Sequence, residues 1–182
     1  KICYLSNSAI PSSVASSIQI VKMCEAFSEL KNEVTLITTN VKKIDYNTFN
    51  FYKVKKKFSI KRMKKYTTFP LGVSYYLFSF FSILESFKYK PEVYITRNFF
   101  TCFLLVLFRK KIIIELHHDI SIESRLVKLL VKYSNFLNSK CIKKAIAITD
   151  GVKKEYIDKN FINSEKIIVL PSGSSLNRKK KI

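Results

Sequence analysis

Only three glycines occur in the 182 residues, Gly72, Gly151 and Gly173. None lies in the loop after the first predicted strand, so no GxGxxG turn brings backbone close to a pyrophosphate there. The P-loop lysine motif, GxSxG, HExxH and the cysteine-nucleophile signatures are absent as well. The four cysteines (Cys3, Cys24, Cys102, Cys141) are scattered, with no CxxC pair and no close histidine. That spacing fits neither a zinc site nor a compact disulfide scaffold, and it points to a reducing cytoplasm. The longest apolar run, Phe99 to Phe108, is too short to cross a bilayer. Lys1 to Ser6 reads directly as a strand, so no signal peptide is expected.

Acidic residues are also scarce. Thirteen Asp and Glu face 33 Lys and Arg, a formal charge of +20, and only five of the cations are arginine. Such an excess suits a nucleic-acid surface, an anionic membrane surface, or simply AT-rich coding bias. Scarce arginine weakens the first, because bidentate phosphate and base recognition favours the guanidinium.

What is present is a globular composition, 47% hydrophobic and 14% aromatic, with apolar strands alternating with amphipathic helices. Strands are expected at Ile2–Ser6, Glu33–Thr39, Val93–Arg97, Lys111–His117, Lys144–Thr149 and Lys166–Gly173. The segment Phe51–Tyr66 mixes alternation with a cationic run. One helix follows Ser16 or Ser17 as N-cap, with Ile18, Val21, Met23, Phe27 and Leu30 near helical spacing. Further helices are expected at Gly72–Phe87, at Phe99–Phe108 and from Asp150. A long amphipathic helix is expected from about Ile122 to Ser139, with Leu126, Leu129, Leu130, Tyr133 and Leu137 on one side. Near-continuous apolar strands in βα units imply an α/β fold: a doubly wound parallel sheet with helices on both faces. Its functional groups gather beyond the carboxyl ends of the strands.

Both histidines sit in "IIIELHHDI" (Ile112 to Ile120). Adjacent strand residues point to opposite faces, so His117 and His118 cannot chelate one ion from a regular strand. Glu115, His117 and Asp119 share a face if the strand persists to Asp119. A buried Glu115 needs a partner, and Arg97 at a neighbouring strand end is the best cation available. A carboxylate beside histidine favours imidazolium, which suits an oxygen-rich ligand. A ligand-contacting His117, a structural pair and a metal site remain open on spacing alone.

Four motifs recur in order along the chain: "VYITRN", "IIIELHHD", "IAITDGVKKEYI" and "KIIVLPSGSSL". Together with the opening "KICYLSNSAIPSSVASSIQIVKMCEAFSELKNEVTLIT", they resemble the N-terminal half of family 4 glycosyltransferases. The resemblance runs from Lys1 to about Leu176. It implies one half of a GT-B fold, a Rossmann-like acceptor domain over residues 1–173, with residues 174–182 starting an interdomain linker. The donor-binding domain is absent from this stretch, and the chain alone is expected to be inactive.

The implied activity is transfer of a sugar from a nucleotide-sugar, with retention, to a glycan or lipid-linked acceptor in cell-surface polysaccharide or lipopolysaccharide assembly. No metal or other cofactor is expected. His117 would be the catalytic-cleft residue, with Ser16, Ser17, Arg97, Glu115, Thr149 and Asp150 on the acceptor side and Gly173 toward the donor. Serines replace the family's usual first-loop glycines, and Asn32 is expected to supply the turn in "KNEV". Lys55, Lys56, Lys57, Lys61, Arg62, Lys64 and Lys65 form a candidate membrane-surface patch, placing the protein at the inner face of the cytoplasmic membrane. The alternative is a stand-alone basic binding domain for membrane or nucleic acid.

Overall fold

The computed structural model describes residues 1–39, 47–55, 58–63 and 71–171. Seven strands are described: β1 (Ile2–Ala9), β2 (Val34–Thr39), β3 (Ser59–Met63), β4 (Val93–Thr96), β5 (Ile112–Leu116), β6 (Ile142–Ala147) and β7 (Ile167–Val169). They form one sheet in the order β3-β2-β1-β4-β5-β6-β7, and every pairing is parallel. The direction of winding reverses between β1 and β4, so the connecting helices change faces there. This is the doubly wound arrangement expected from the apolar strands, and its crevice opens at that reversal.

Helix α1 (Ala15–Glu29) and the short α2 (Thr48–Phe51) belong to the β1–β3 half. Helices α3 (Leu71–Ser86), α4 (Phe99–Leu107), α5 (Arg125–Tyr133) and α6 (Asp150–Asp158) pack on the opposite face, α3 against β1 and β2. Alternation along the strands divides the core accordingly. Ile112, Ile114 and Leu116 pack with Ile83, Cys102, Leu105, Val127 and Val131 on the α3–α6 face. Tyr4, Leu36, Ile95 and Ile113 pack with Ile20, Val21 and Cys24 on the α1 face. On that second face, β6 and β7 carry no helix among the described residues, and Ile146 and Leu170 line an open groove instead. Among the described residues, helices thus cover both faces over β1 and β2 but one face over β6 and β7.

Two helices bury a different stripe from the one their spacing suggests. In α1 the buried residues are Ser17, Ile20, Val21 and Cys24, while Ile18 and Leu30 are exposed. Neither Ser16 nor Ser17 caps this helix. Val14 is the cap residue, without a side-chain hydrogen bond. Ser12 Oγ accepts from Val14 N, and Ser17 Oγ donates to Ala9 O, so both hydroxyls are spent on the loop.

The long helix predicted for Ile122–Ser139 is shorter, Arg125–Tyr133. Ser124 Oγ caps it by accepting from Val127 N, and Asn135 ends it in the left-handed region at φ 51°. Its buried residues are Val127 and Val131. Leu126, Leu129 and Tyr133, expected inside, are 46%, 53% and 71% exposed. The "KNEV" turn also differs: Lys31 takes the left-handed conformation at φ 63°, while Asn32 donates through its amide side chain to Phe27 O.

Candidate functional site

β4 and β5 are neighbours, pairing Tyr94 with Ile112 and Thr96 with Ile114. The residues leaving their carboxyl ends are therefore side by side, although 18 positions separate Arg97 from Glu115. Glu115 follows Ile113 onto the α1 face and is 4% exposed. Its Oε2 accepts from Arg97 Nε at 2.8 Å and lies 3.0 Å from His117 Nε2. Arg97 Nε also reaches Tyr4 Oη at 3.0 Å.

Burial pushes the Glu115 carboxyl upward, but the hydrogen bond from His117 and the charge and hydrogen bonds of Arg97 outweigh it, leaving the group below its ordinary range. An ionised Glu115 is an acceptor only. His117 Nε2 must then carry the proton, which leaves Nδ1 as the ring nitrogen for a ligand. Glu115 Oε1 and Arg97 Nη2 are buried without hydrogen-bond partners among the described residues. Tyr4 has its phenol raised well above the usual value by burial and by Glu115, so it stays a neutral hydroxyl.

Three connected hollows surround this cluster. One of about 320 Å³ is lined by Ser16, Gln19, Arg97, Glu115, His117 and His118. Another of about 450 Å³ shares Gln19, Glu115 and His117 and extends between α1 and β6 over Met23, Ile146 and Leu170. A smaller one of about 150 Å³ shares Arg97 and His118 and adds Ser6, Asn7, Asn98 and Glu123. The cleft therefore joins a charged, hydroxyl-rich centre to an apolar side, as ligand sites with a few convergent polar groups do.

The expected partnership of Glu115 with Arg97 is present, and Ser16 lines the same cavity. Ser17 does not: it is 2% exposed and bound to Ala9 O. Asp119 also departs from the expected shared face, because β5 ends at Leu116. It caps a 3-10 turn instead, accepting from Ser121 N. Its carboxyl is held down to about 2 by hydrogen bonding with Glu155 and with the Ser121 backbone.

His118 pairs with Glu123 at 2.9 Å instead of with Glu115, while lining two of the same hollows. Thr149 caps α6 through Val152 N. Asp150 begins that helix and lines a separate hollow with Gly151 and Lys154, so neither residue joins the His117 cluster. Among the described residues, no three His, Cys, Asp or Glu side chains group as metal ligands.

Of the cationic patch, Lys56, Lys57, Lys64 and Lys65 lie outside the described residues, as does Gly173. Lys55 donates its backbone N–H to Glu25 at 2.7 Å, and Lys61 pairs with Glu85 at 3.5 Å. Arg62 binds Thr48 Oγ1 and Ile10 O. Among the described residues, no helix is long and apolar enough to cross a membrane.

Gln19, Met23 and Tyr4 were not legible as site residues. Only Tyr4 left a signal, a hydroxyl inside an apolar strand that needs a polar partner. Tyr52 is similar: its Oη accepts from Ser12 N at 2.7 Å and donates to Ser12 O at 2.8 Å, fastening the first loop from 40 positions away.

No protein-family model and no curated protein sequence matches the chain. The fold does have solved relatives. Sucrose-phosphate synthase from Thermosynechococcus elongatus superimposes with a TM-score of 0.66 at 11% identity, over 96% of this chain and 48% of that one. HepE from Anabaena, solved with UDP and glucose, gives 0.62 at 11% identity, over 97% and 45%. The lipopolysaccharide outer core galactosyltransferase WaaB, in its apo form, gives 0.62 at 11% identity, over 97% and 47%. The chain therefore spans a little under half the length of these proteins. Its sheet shares the Rossmann-like α/β fold of the matched part of these proteins.

Proposed function

We propose that this chain is the acceptor-side domain of a retaining glycosyltransferase of the family 4 type. The parent activity is transfer of a sugar from a nucleotide-sugar to a glycan or lipid-linked acceptor, in cell-surface polysaccharide or lipopolysaccharide assembly. The observation that carries this reading is the Arg97–Glu115–His117 cluster at the carboxyl end of β4 and β5, in a sheet shared with solved glycosyltransferases. The relative solved with UDP and glucose and the lipopolysaccharide galactosyltransferase support the donor class and the pathway.

In this reading Glu115 orients His117 through Nε2, leaving Nδ1 to hydrogen-bond a sugar hydroxyl in the cleft. Ser16 and Gln19 supply neutral hydrogen bonds beside it. The chemistry assigned to these residues is binding and orientation of hydroxyl groups. Donor binding belongs to a second half, reached past Gly173. Thr149 and Asp150 take a place on the outer rim, and the protein works at the cytoplasmic face of the membrane, with the Lys55–Lys65 cations toward lipid.

The test is ligand binding to the chain, followed by NMR of the His117 ring. Saccharide acceptors are expected to shift the ring signals, and His117→Ala is expected to weaken binding at least tenfold with the fold intact. Tight binding of a nucleotide-sugar to this chain, with no saccharide binding, would reverse the assignment of sides.

A further inference from the structure

Helix α5 buries Val127 and Val131 and leaves the rest of its circumference outside. At about 100° per residue, Leu126, Leu129 and Tyr133 fall in one sector, and Arg125, Lys128 and Lys132 fall in the adjoining one. The three apolar side chains are 46%, 53% and 71% exposed. No acidic residue occurs within the helix, and Glu123 just before it is occupied by His118. Lys132 Nζ lies 5.1 Å from the Tyr133 ring centroid, so the cation and the aromatic meet at the seam between the sectors. Phe80 and Leu84 of α3 and Leu107 of α4 are exposed as well, and Tyr76 of α3 bonds Ser124 at 2.8 Å.

We infer that the outer face of α5 is a docking surface for an anionic lipid bilayer. A helix with leucine and tyrosine beside a lysine–arginine sector lies in the interfacial plane, apolar side down and cations among the phosphates. The charges select this occupant. A second copy would bring two cationic sectors together on a chain whose formal charge is +20. A protein interface core is depleted in lysine. This deepens the membrane contact in the proposed function by naming a surface distinct from the Lys55–Lys65 segment, and it rests on α5 rather than on sugar chemistry.

Co-sedimentation tests it, using phosphatidylethanolamine–phosphatidylglycerol vesicles against pure phosphatidylcholine vesicles. The chain is expected to bind the anionic vesicles selectively. Lys132→Gln should weaken binding roughly fivefold, and Leu126→Gln with Leu129→Gln about tenfold. The chain contains no tryptophan, so Tyr133→Trp gives a single reporter whose emission should shift to the blue only with anionic vesicles. Four results overturn the inference: equal binding to both vesicle types, binding unchanged in both α5 variants, an unshifted Tyr133→Trp spectrum, or a lipid-free dimer abolished by the leucine substitutions. Loss of binding in Lys55→Gln with Lys61→Gln, but not in the α5 variants, also overturns it and leaves the other surface standing. Failure of saccharide binding with vesicle binding retained counts against the transferase reading alone.

Discussion

Arg97 and His117 converge on a single oxygen: Oε2 of Glu115 receives the guanidinium Nε at 2.8 Å and lies 3.0 Å from the imidazole Nε2. One buried carboxylate thus holds two groups from the ends of adjacent strands. Its energetics are coupled, because removing any member leaves charge or hydrogen-bonding capacity uncompensated.

A double-mutant cycle on Arg97 and Glu115 should show that coupling. Glu115→Leu alone is expected to cost about 3 kcal/mol, since it strands a largely buried guanidinium. Arg97→Met with Glu115→Leu should cost clearly less than the two single changes added together. Urea denaturation of the four proteins measures it, and simple additivity would show that the pair is not coupled.

Acid should weaken the fold through the same carboxylate. Glu115 has a folded-state pKa below its ordinary 4.5, so its contribution is present above the unfolded value and is lost as pH falls through the folded one. Unfolding free energy is therefore expected to drop as pH goes below about 4.5. Glu115→Gln should flatten this slope. An identical pH profile in that variant would assign the acid sensitivity to other carboxylates.

The two serines at the start of α1 should separate cleanly. Ser17→Ala removes a buried hydrogen bond to Ala9 O and should destabilise by about 1 kcal/mol in thermal unfolding. Ser16→Ala should leave stability within about 0.5 kcal/mol and lower saccharide binding instead. The reverse pattern would exchange their roles.

The end of α5 offers a backbone test. Asn135 sits at φ 51°, so Asn135→Gly should be neutral or slightly stabilising, whereas Asn135→Val should cost about 1–2 kcal/mol. Equal effects, read by denaturant midpoints, would mean that the left-handed turn relaxes at little cost.

The strands were legible because a strand buried on both faces reads as an unbroken apolar run. Ile112–Leu116 and Val93–Thr96 are found where those runs place them, within a residue or two. β6 is shifted toward its N-terminus, because Ile142 pairs with Ile112 across the sheet. The Glu115–Arg97 pair was legible too, from the cost of burying a lone carboxylate. The burial of Ser17 was not, because its acceptor is a carbonyl at the end of β1, and loop geometry alone brings the two together.

Local pattern by itself determined the α/β alternation, the parallel winding and the placing of polar groups at strand ends. All three follow from hydrophobic periodicity and the need to bury strands. The tertiary structure decided which stripe of α1 and α5 meets the sheet. Helix α5 carries two apolar sectors, Val127–Leu130–Val131 and Leu126–Leu129–Tyr133, and its own periodicity cannot rank them. The choice is made by where β5, β6 and α4 offer complementary surface. The same packing leaves the second sector outside, where its leucines and tyrosine meet cations instead of core.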